Sequence, residues 1–408
     1  MKNDLKKCDF CGCEETDFNP IASTNEHNIC KSCAEVSLFV IERDLFLSEE
    51  EITQRKNTQN TNNLKDKKET IIEKYPKDYK KELDKFVVGQ EEAKKILSVS
   101  MYNHMARINH KEEIDKSNVL LIGKTGTGKS HLVKTMAKII DVPIVSSDAT
   151  SLTAAGYVGD DVENMIINLY VSAGKDKSKT ERGIIFIDEV DKIAKMAGRN
   201  GGRDIAGESV QQGLLKIIEG TKLQIPANGI KKSNDNTPQI EIDTSNILFI
   251  FAGSFEKLRE ERKFEVNLSP LGSTKKKKKE NKKVIDSEDL IKFGMIPEFM
   301  GRIHLIAELD DITKDVMKRI LTEPKNSIYE QYKKLLKISE VQIEFNQKAI
   351  NKIVNEAMEK ESGARALKSI VEDKMIDFMF NIDEYKGHKV TMDYNRKYIF
   401  KIDEEERI

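Results

Sequence analysis

The 408-residue chain has no long apolar run, no excess of charge of either sign, and no cysteine beyond position 33. Nothing approaches the roughly 20 apolar residues that a bilayer-spanning helix needs. The 68 basic and 69 acidic side chains nearly cancel, so no global field points to nucleic acid or a lipid surface. The opening Met1-Lys2-Asn3-Asp4-Leu5-Lys6-Lys7 has no apolar core behind it and does not read as a signal peptide. A soluble, cytoplasmic protein is expected. With all five cysteines inside the first 33 residues, a disulfide framework for the whole chain is excluded, and a local site is indicated.

Composition separates four segments: 1–47 with the cysteines, 48–66 with almost nothing to bury, 67–312, and 313–408. The second reads as a flexible linker. In the third, short apolar runs alternate with helical patterns, the signature of an α/β fold with a parallel sheet and flanking helices. Its candidate strands are Val119–Ile122, 143–146, Ile184–Ile187 and 247–251. The fourth is predicted to be a smaller, mostly helical domain, with β-like stretches near 389–392 and 398–402.

Cys8-x₂-Cys11 and Cys30-x₂-Cys33, 18 residues apart, have the spacing of a closed four-thiolate zinc site. A redox pair and chance clustering are the competing readings. Four thiolates leave no open coordination position, so the zinc would be structural and would supply folding energy to a module too small for a core. Cys13 and His27 are read as bystanders. The apolar Leu38–Ile41 stretch that follows favours self-association or protein docking.

Gly123-Lys124-Thr125-Gly126-Thr127-Gly128-Lys129-Ser130 is a complete phosphate-binding loop set between an apolar strand and a helical pattern. Such a turn aims backbone N–H groups at one point, with Lys129 reaching the β/γ-phosphates and the Ser130 hydroxyl holding Mg²⁺. The chain is therefore expected to bind ATP. Ile184–Ile187 ends in Asp188 and Glu189. Asp188 can position Mg²⁺ and Glu189 can orient and deprotonate the attacking water. Asp191 is assigned a structural role. Positive charge is also required at the γ-phosphate, and Arg302 and Arg365 are candidates. On their own, both read first as ordinary surface or salt-bridged arginines. Tyr157 and Val158, framed by glycines, make either a sticky mobile tip or a plain turn. Lys275–Lys279, with Lys282 and Lys283, reads as a solvated loop; a nucleic-acid-dependent ATPase is the competing class that the lysines and cysteines would support.

Taken together, these features resemble the ClpX family of AAA+ protein unfoldases, which feed substrates to the ClpP peptidase. The likeness includes the four-cysteine module, Leu83–Gln90, Leu152–Gly159, Val210-Gln211-Gln212, Ile291–Phe299 and Thr322–Asn326. It implies a homo-hexamer that threads protein substrates through a central pore, with adaptor proteins recruited by the zinc module. It also implies that Val87 and Val88 pack around adenine, that Arg302 reaches a neighbour's ATP, that Arg365 senses bound nucleotide, and that Tyr157 and Val158 grip the substrate. Residues about 195–206 correspond to a second pore loop. The sequence departs from the family at the peptidase-docking tip, where Pro270-Leu271-Gly272 lacks the aromatic anchor, and at the pore-entrance loop Gly229–Ser233. Lys124 replaces a usual proline and is expected to face away from the phosphates. The altered tip keeps a second output open: a remodelling chaperone that works without the peptidase.

Overall fold

The computed structural model describes residues 7–9, 11, 13, 21–23, 28–30, 33–34, 74–110, 115–153, 160–195, 205–229, 238–267, 285–360 and 363–407. The chain divides into two compact units, Met1–Ile71 and Ile72–Ile408. In the first, Ile21–Ser23 and Asn28–Cys30 form an antiparallel pair in which Ile21 faces Cys30.

The second unit is built on a five-stranded parallel sheet. Its strands are β1 (Val119–Ile122), β2 (Ile144–Asp148), β3 (Ile184–Asp188), β4 (Leu248–Gly253) and β5 (Leu305–Glu308), in the spatial order β5-β1-β4-β3-β2. Parallel strands buried on both faces read as continuous apolar runs, and the two-residue side-chain period sorts them. Val119, Leu121, Ile184, Phe186 and Ile250 join one core with helices Pro76–Asp84, Glu91–His110 and Lys129–Ile140. Leu120, Ile122, Ile185, Ile187, Phe249 and Phe251 join the other with Asn164–Ser172 and Ile205–Ile218.

Three of the four strands foreseen from sequence shift by a residue or two. The stretch at 143–146 runs Ile144–Asp148, that at 247–251 runs Leu248–Gly253, and Ile184–Ile187 extends to Asp188. Edge strand β5 was not foreseen, because it is only partly buried and ends in Glu308. An antiparallel hairpin of Lys222–Pro226 and Gln239–Asp243 was missed for the same reason.

A third apolar core gathers Met317, Leu321, Ile343, Ile353, Leu367, Val371 and Met392. Helices Lys314–Thr322, Ile328–Ile338, Gln347–Glu359 and Arg365–Phe380 pack there on a three-stranded sheet of Gln342–Phe345, His388–Asn395 and Lys397–Arg407. The two late β stretches are thus longer than foreseen and gain a parallel partner, Gln342–Phe345. No helix among the described residues is long and apolar enough to cross a membrane.

Candidate functional site

β1 delivers the chain into the glycine loop at the carboxyl edge of the sheet. Gly126 and Gly128 take φ of 82° and 100°, a region that disfavours side chains, and Gly128 caps helix Lys129–Ile140. The helix is held by Leu132, Val133, Met136, Ala137 and Ile140, all buried against the sheet as the spacing foretold. Its first turn therefore faces a cavity of about 480 Å³.

Thr125, Gly126, Thr127, Gly128, Lys129 and Ser130 line that cavity. Gly123 and Lys124 do not; their carbonyl oxygens accept from Lys129 Nζ at 2.6 and 3.2 Å. Lys124 itself is exposed, 3.9 Å from Asp311. Burial lowers the Lys129 pKa, and the Asp188 and Asp191 carboxylates oppose that shift.

β3 brings Asp188 and Glu189 to the same edge. Ser130 Oγ donates to Asp188 Oδ2 at 3.1 Å, so a hydroxyl and a carboxylate, both hard oxygen donors, meet at the mouth of the loop. Glu189 sits at φ 58°, and its N–H donates to Asp188 Oδ1 at 3.0 Å. A non-glycine residue in that region costs roughly 1–3 kcal/mol, and the strain turns Glu189 out of the strand into the cavity lining. Asp191 is buried and accepts from Ser254 N at 3.1 Å and Ser254 Oγ at 2.8 Å. It fastens the end of β4 to the end of β3. Ser254, itself a lining residue, was not singled out from sequence, because its partner lies 63 positions away.

The opposite wall is apolar. Phe86, Val87, Val88, Ile312, Ile320, Pro324 and Ile328 form it, a slot suited to a flat apolar group. Gln90 pins this wall to the loop: Nε2 donates to Thr127 O at 3.4 Å and Asp310 O at 2.9 Å, and Oε1 accepts from Asp310 N at 2.8 Å. Arg365 opens helix Arg365–Phe380 and lines the cavity from the far side. Gly363, at φ 60°, lets that segment approach the loop, since a Cβ there would lie 3.2 Å from Gly126 Cα.

Arg302 is not among the residues lining its own chain's cavity. It is half exposed and ion-paired with Glu219, Nη2 to Oε1 at 2.7 Å. Tyr157, Val158, most of 195–206, Ile230–Ser233, the docking tip at Pro270-Leu271-Gly272 and the lysine run lie outside the described residues.

In the first unit the Sγ atoms of Cys8, Cys11, Cys30 and Cys33 all lie within 4.8 Å of one another. Cys11 and Cys30 Sγ are 3.7 Å apart. A tetrahedral ion with metal–sulfur bonds of about 2.3 Å requires an edge of about 3.8 Å. Backbone N–H groups of Cys30 and Cys33 donate to Cys8 and Cys30 sulfurs at 3.3 and 3.4 Å, which favours thiolates. The arrangement fits a metal.

A parallel sheet in this order, a glycine loop after β1, an acidic pair after β3 and an arginine from a helical domain across the cleft define a P-loop ATPase of the AAA class. Residues 114–306 match the family model described as AAA domain (Cdc48 subfamily), and 312–382 match the C-terminal, D2-small domain, of ClpB protein. The ATP-dependent Clp protease ATP-binding subunit ClpX of Treponema denticola is 44% identical over 337 residues, 79% of this chain and 81% of that relative. The corresponding subunit of Bacteroides thetaiotaomicron is 40% identical over 412 aligned positions, 97% of this chain and 96% of that relative. The chain belongs to the ClpX family of ATP-binding subunits.

Proposed function

We propose that this chain is one subunit of a ring that hydrolyses ATP to unfold proteins and translocate them to a ClpP-type peptidase. The observation that carries the reading is the incomplete cavity: Lys129, Asp188, Glu189 and Arg365 converge on it, while Arg302 points elsewhere on the same molecule. An arginine supplied by the neighbouring subunit would complete the charge around the γ-phosphate, which makes hydrolysis a property of two chains. Six copies, as the family resemblance implies, would close the ring.

In this reading Val87 and Val88 hold the base, and the N–H groups of Gly126–Ser130 cradle the phosphates. Lys129 releases the loop carbonyls of Gly123 and Lys124 to reach the β/γ-phosphates. Ser130 and Asp188 would hold Mg²⁺, which neutralises phosphate charge when bound. Glu189 takes the proton from the attacking water, and Arg365 reads the nucleotide from the small domain. Because Arg365 and the apolar slot belong partly to that domain, a change of nucleotide tilts one domain against the other. Tyr157 and Val158 would carry the motion to the substrate through contacts that need no particular sequence. Cys8, Cys11, Cys30 and Cys33 would hold structural zinc in a module that recruits adaptors.

A Tyr157→Ala chain tests the output. It should hydrolyse ATP near the parental rate and lose unfolding of a tagged fluorescent protein; equal unfolding rates would remove the pore-gripping role. The second reading, a remodelling chaperone independent of the peptidase, is favoured by the lost aromatic at Pro270-Leu271-Gly272. Degradation of the same substrate on adding a ClpP-type peptidase separates the two.

A further inference from the structure

We propose that Gln211 and Glu219, carried on and just beyond one helix, are positioning residues that lock Arg302 to the Glu189 segment of the same chain. The proposal rests on the reading that Arg302 serves a neighbouring subunit. Its consequence is that the carboxylate a chain uses itself and the arginine it offers next door move as one piece.

Gln211 is fully buried in the middle of helix Ile205–Ile218. Its Nε2 donates to Ile193 O at 2.7 Å and its Oε1 accepts from Ile296 N at 2.9 Å. Ile193 ends the short 3₁₀ turn that begins straight after Glu189. Ile296 precedes the Pro297–Met300 turn that leads into Arg302. One primary amide thus joins the two segments by a donor at one end and an acceptor at the other, which no apolar side chain and no carboxylate can do. A backbone bond from Lys195 N to Gly294 O at 2.8 Å runs beside it. A Cβ on Gly294 would lie 2.4 Å from Lys195 O, so the two segments are as close as backbones can pack.

At the other end of the helix, Glu219 Oε1 accepts from Arg302 Nε at 3.1 Å and Nη2 at 2.7 Å. A guanidinium has five N–H donors in a rigid plane. Gripping its Nε–Nη2 edge fixes the plane and leaves the Nη1 side free for an anion. Asn118 Nδ2 donates to Arg302 O at 2.9 Å, while Asn118 Oδ1 accepts from Phe249 N at 3.3 Å, which ties the arginine's backbone to the sheet. The carrier of Glu219 is itself anchored. Thr244 Oγ1 donates to Ile217 O at 2.9 Å, and Lys116 Nζ donates to Ile218 O at 2.9 Å. The connections therefore close a loop: Glu189 to Ile193, through Gln211 to Glu219 and Arg302, and back through Ile296.

The test is steady-state ATPase of the full chain at ring-forming concentration, comparing Glu219→Gln, Gln211→Glu, Arg302→Ala and the Glu219→Gln/Arg302→Ala double variant. Glu219 is exposed enough for its amide variant to fold, and Gln211→Glu, assayed at pH 8 or above, keeps an acceptor for Ile296 N while its ionised form has no donor for Ile193 O. Glu219→Gln is expected to lower kcat about two- to five-fold with KM for ATP unchanged, the scale of one exposed ion pair acting on a transition state; Gln211→Glu, at a fully buried site, is expected to lower kcat at least as far. The double variant should be no slower than Arg302→Ala alone. Parental kcat in Glu219→Gln, or effects that multiply in the double variant, would overturn the positioning role. Parental kcat in Arg302→Ala would instead overturn the reading of Arg302 on which it rests.

Discussion

Gly363→Ala isolates the contact between the helical domain and the phosphate loop. Gly363 has φ 60°, and a methyl group there would meet Gly126 Cα and O at 3.2 Å and Gly126 C at 3.3 Å. All three are backbone atoms, so relief requires the domain to back away by a few tenths of an ångström. The left-handed conformation alone costs an alanine about 1–2 kcal/mol. Gly387 supplies the control: its φ is 78°, and a methyl there meets nothing within 4 Å. Gly387→Ala bears the same strain without touching the loop. Because Arg365 lies two residues past Gly363, displacement should weaken ATP binding about ten-fold, or ~1.4 kcal/mol, while Gly387→Ala stays within about two-fold. Titration of a fluorescent ATP analogue by each variant measures this. Equal affinities in Gly363→Ala and Gly387→Ala would refute the claim that the two domains build one nucleotide site.

Glu189→Gln should bind ATP as tightly as the parent and lose turnover by about 10²-fold or more, the contribution of a positioned general base; residual hydrolysis in a coupled assay checks it. Cys30→Ser should lower bound zinc from about one ion per chain to near none in a colorimetric metal assay, because three thiolates leave the tetrahedron open. Burial holds the His104 imidazole down at about 4 from its ordinary 6.5; the hydrogen bond to Arg182 O opposes this, and Arg107 and Lys116 add to it. The unfolded chain takes up that proton first, so this share of stability is full above pH 6.5 and is lost as pH falls towards 4. The total is about 3 kcal/mol. Denaturant midpoints measured at pH 7.5, 6 and 5 should fall along this curve, and His104→Gln should flatten it.

The parts of the candidate site legible in the sequence are those whose chemistry is local. The glycine loop, the acidic pair at the end of β3 and the two Cys-x₂-Cys pairs each lie within a few positions, and β1, β3 and β4 announce themselves as unbroken apolar runs. What stayed hidden depends on closure of the chain. Gln90 works through Asp310, 220 positions away, and Ser254 through Asp191. Gln211 was visible only as part of a family motif, because its two partners are backbone atoms from separate segments. Gln342–Phe345 does alternate buried and exposed residues, but four positions beside a helical run are too few to declare a strand.

The central claim is that each ATP site belongs to two chains, and mixing inactive variants tests it most directly. Glu189→Gln lacks the base but keeps Arg302, while Arg302→Ala lacks the arginine but keeps Glu189. If Arg302 acts across the interface, combining the two restores sites at every junction where an Arg302→Ala subunit's nucleotide faces an intact Arg302. In a random equal mixture that is about a quarter of the junctions, so turnover should rise towards about a quarter of the parental rate. A mixture no more active than the average of the two variants alone would contradict the shared site.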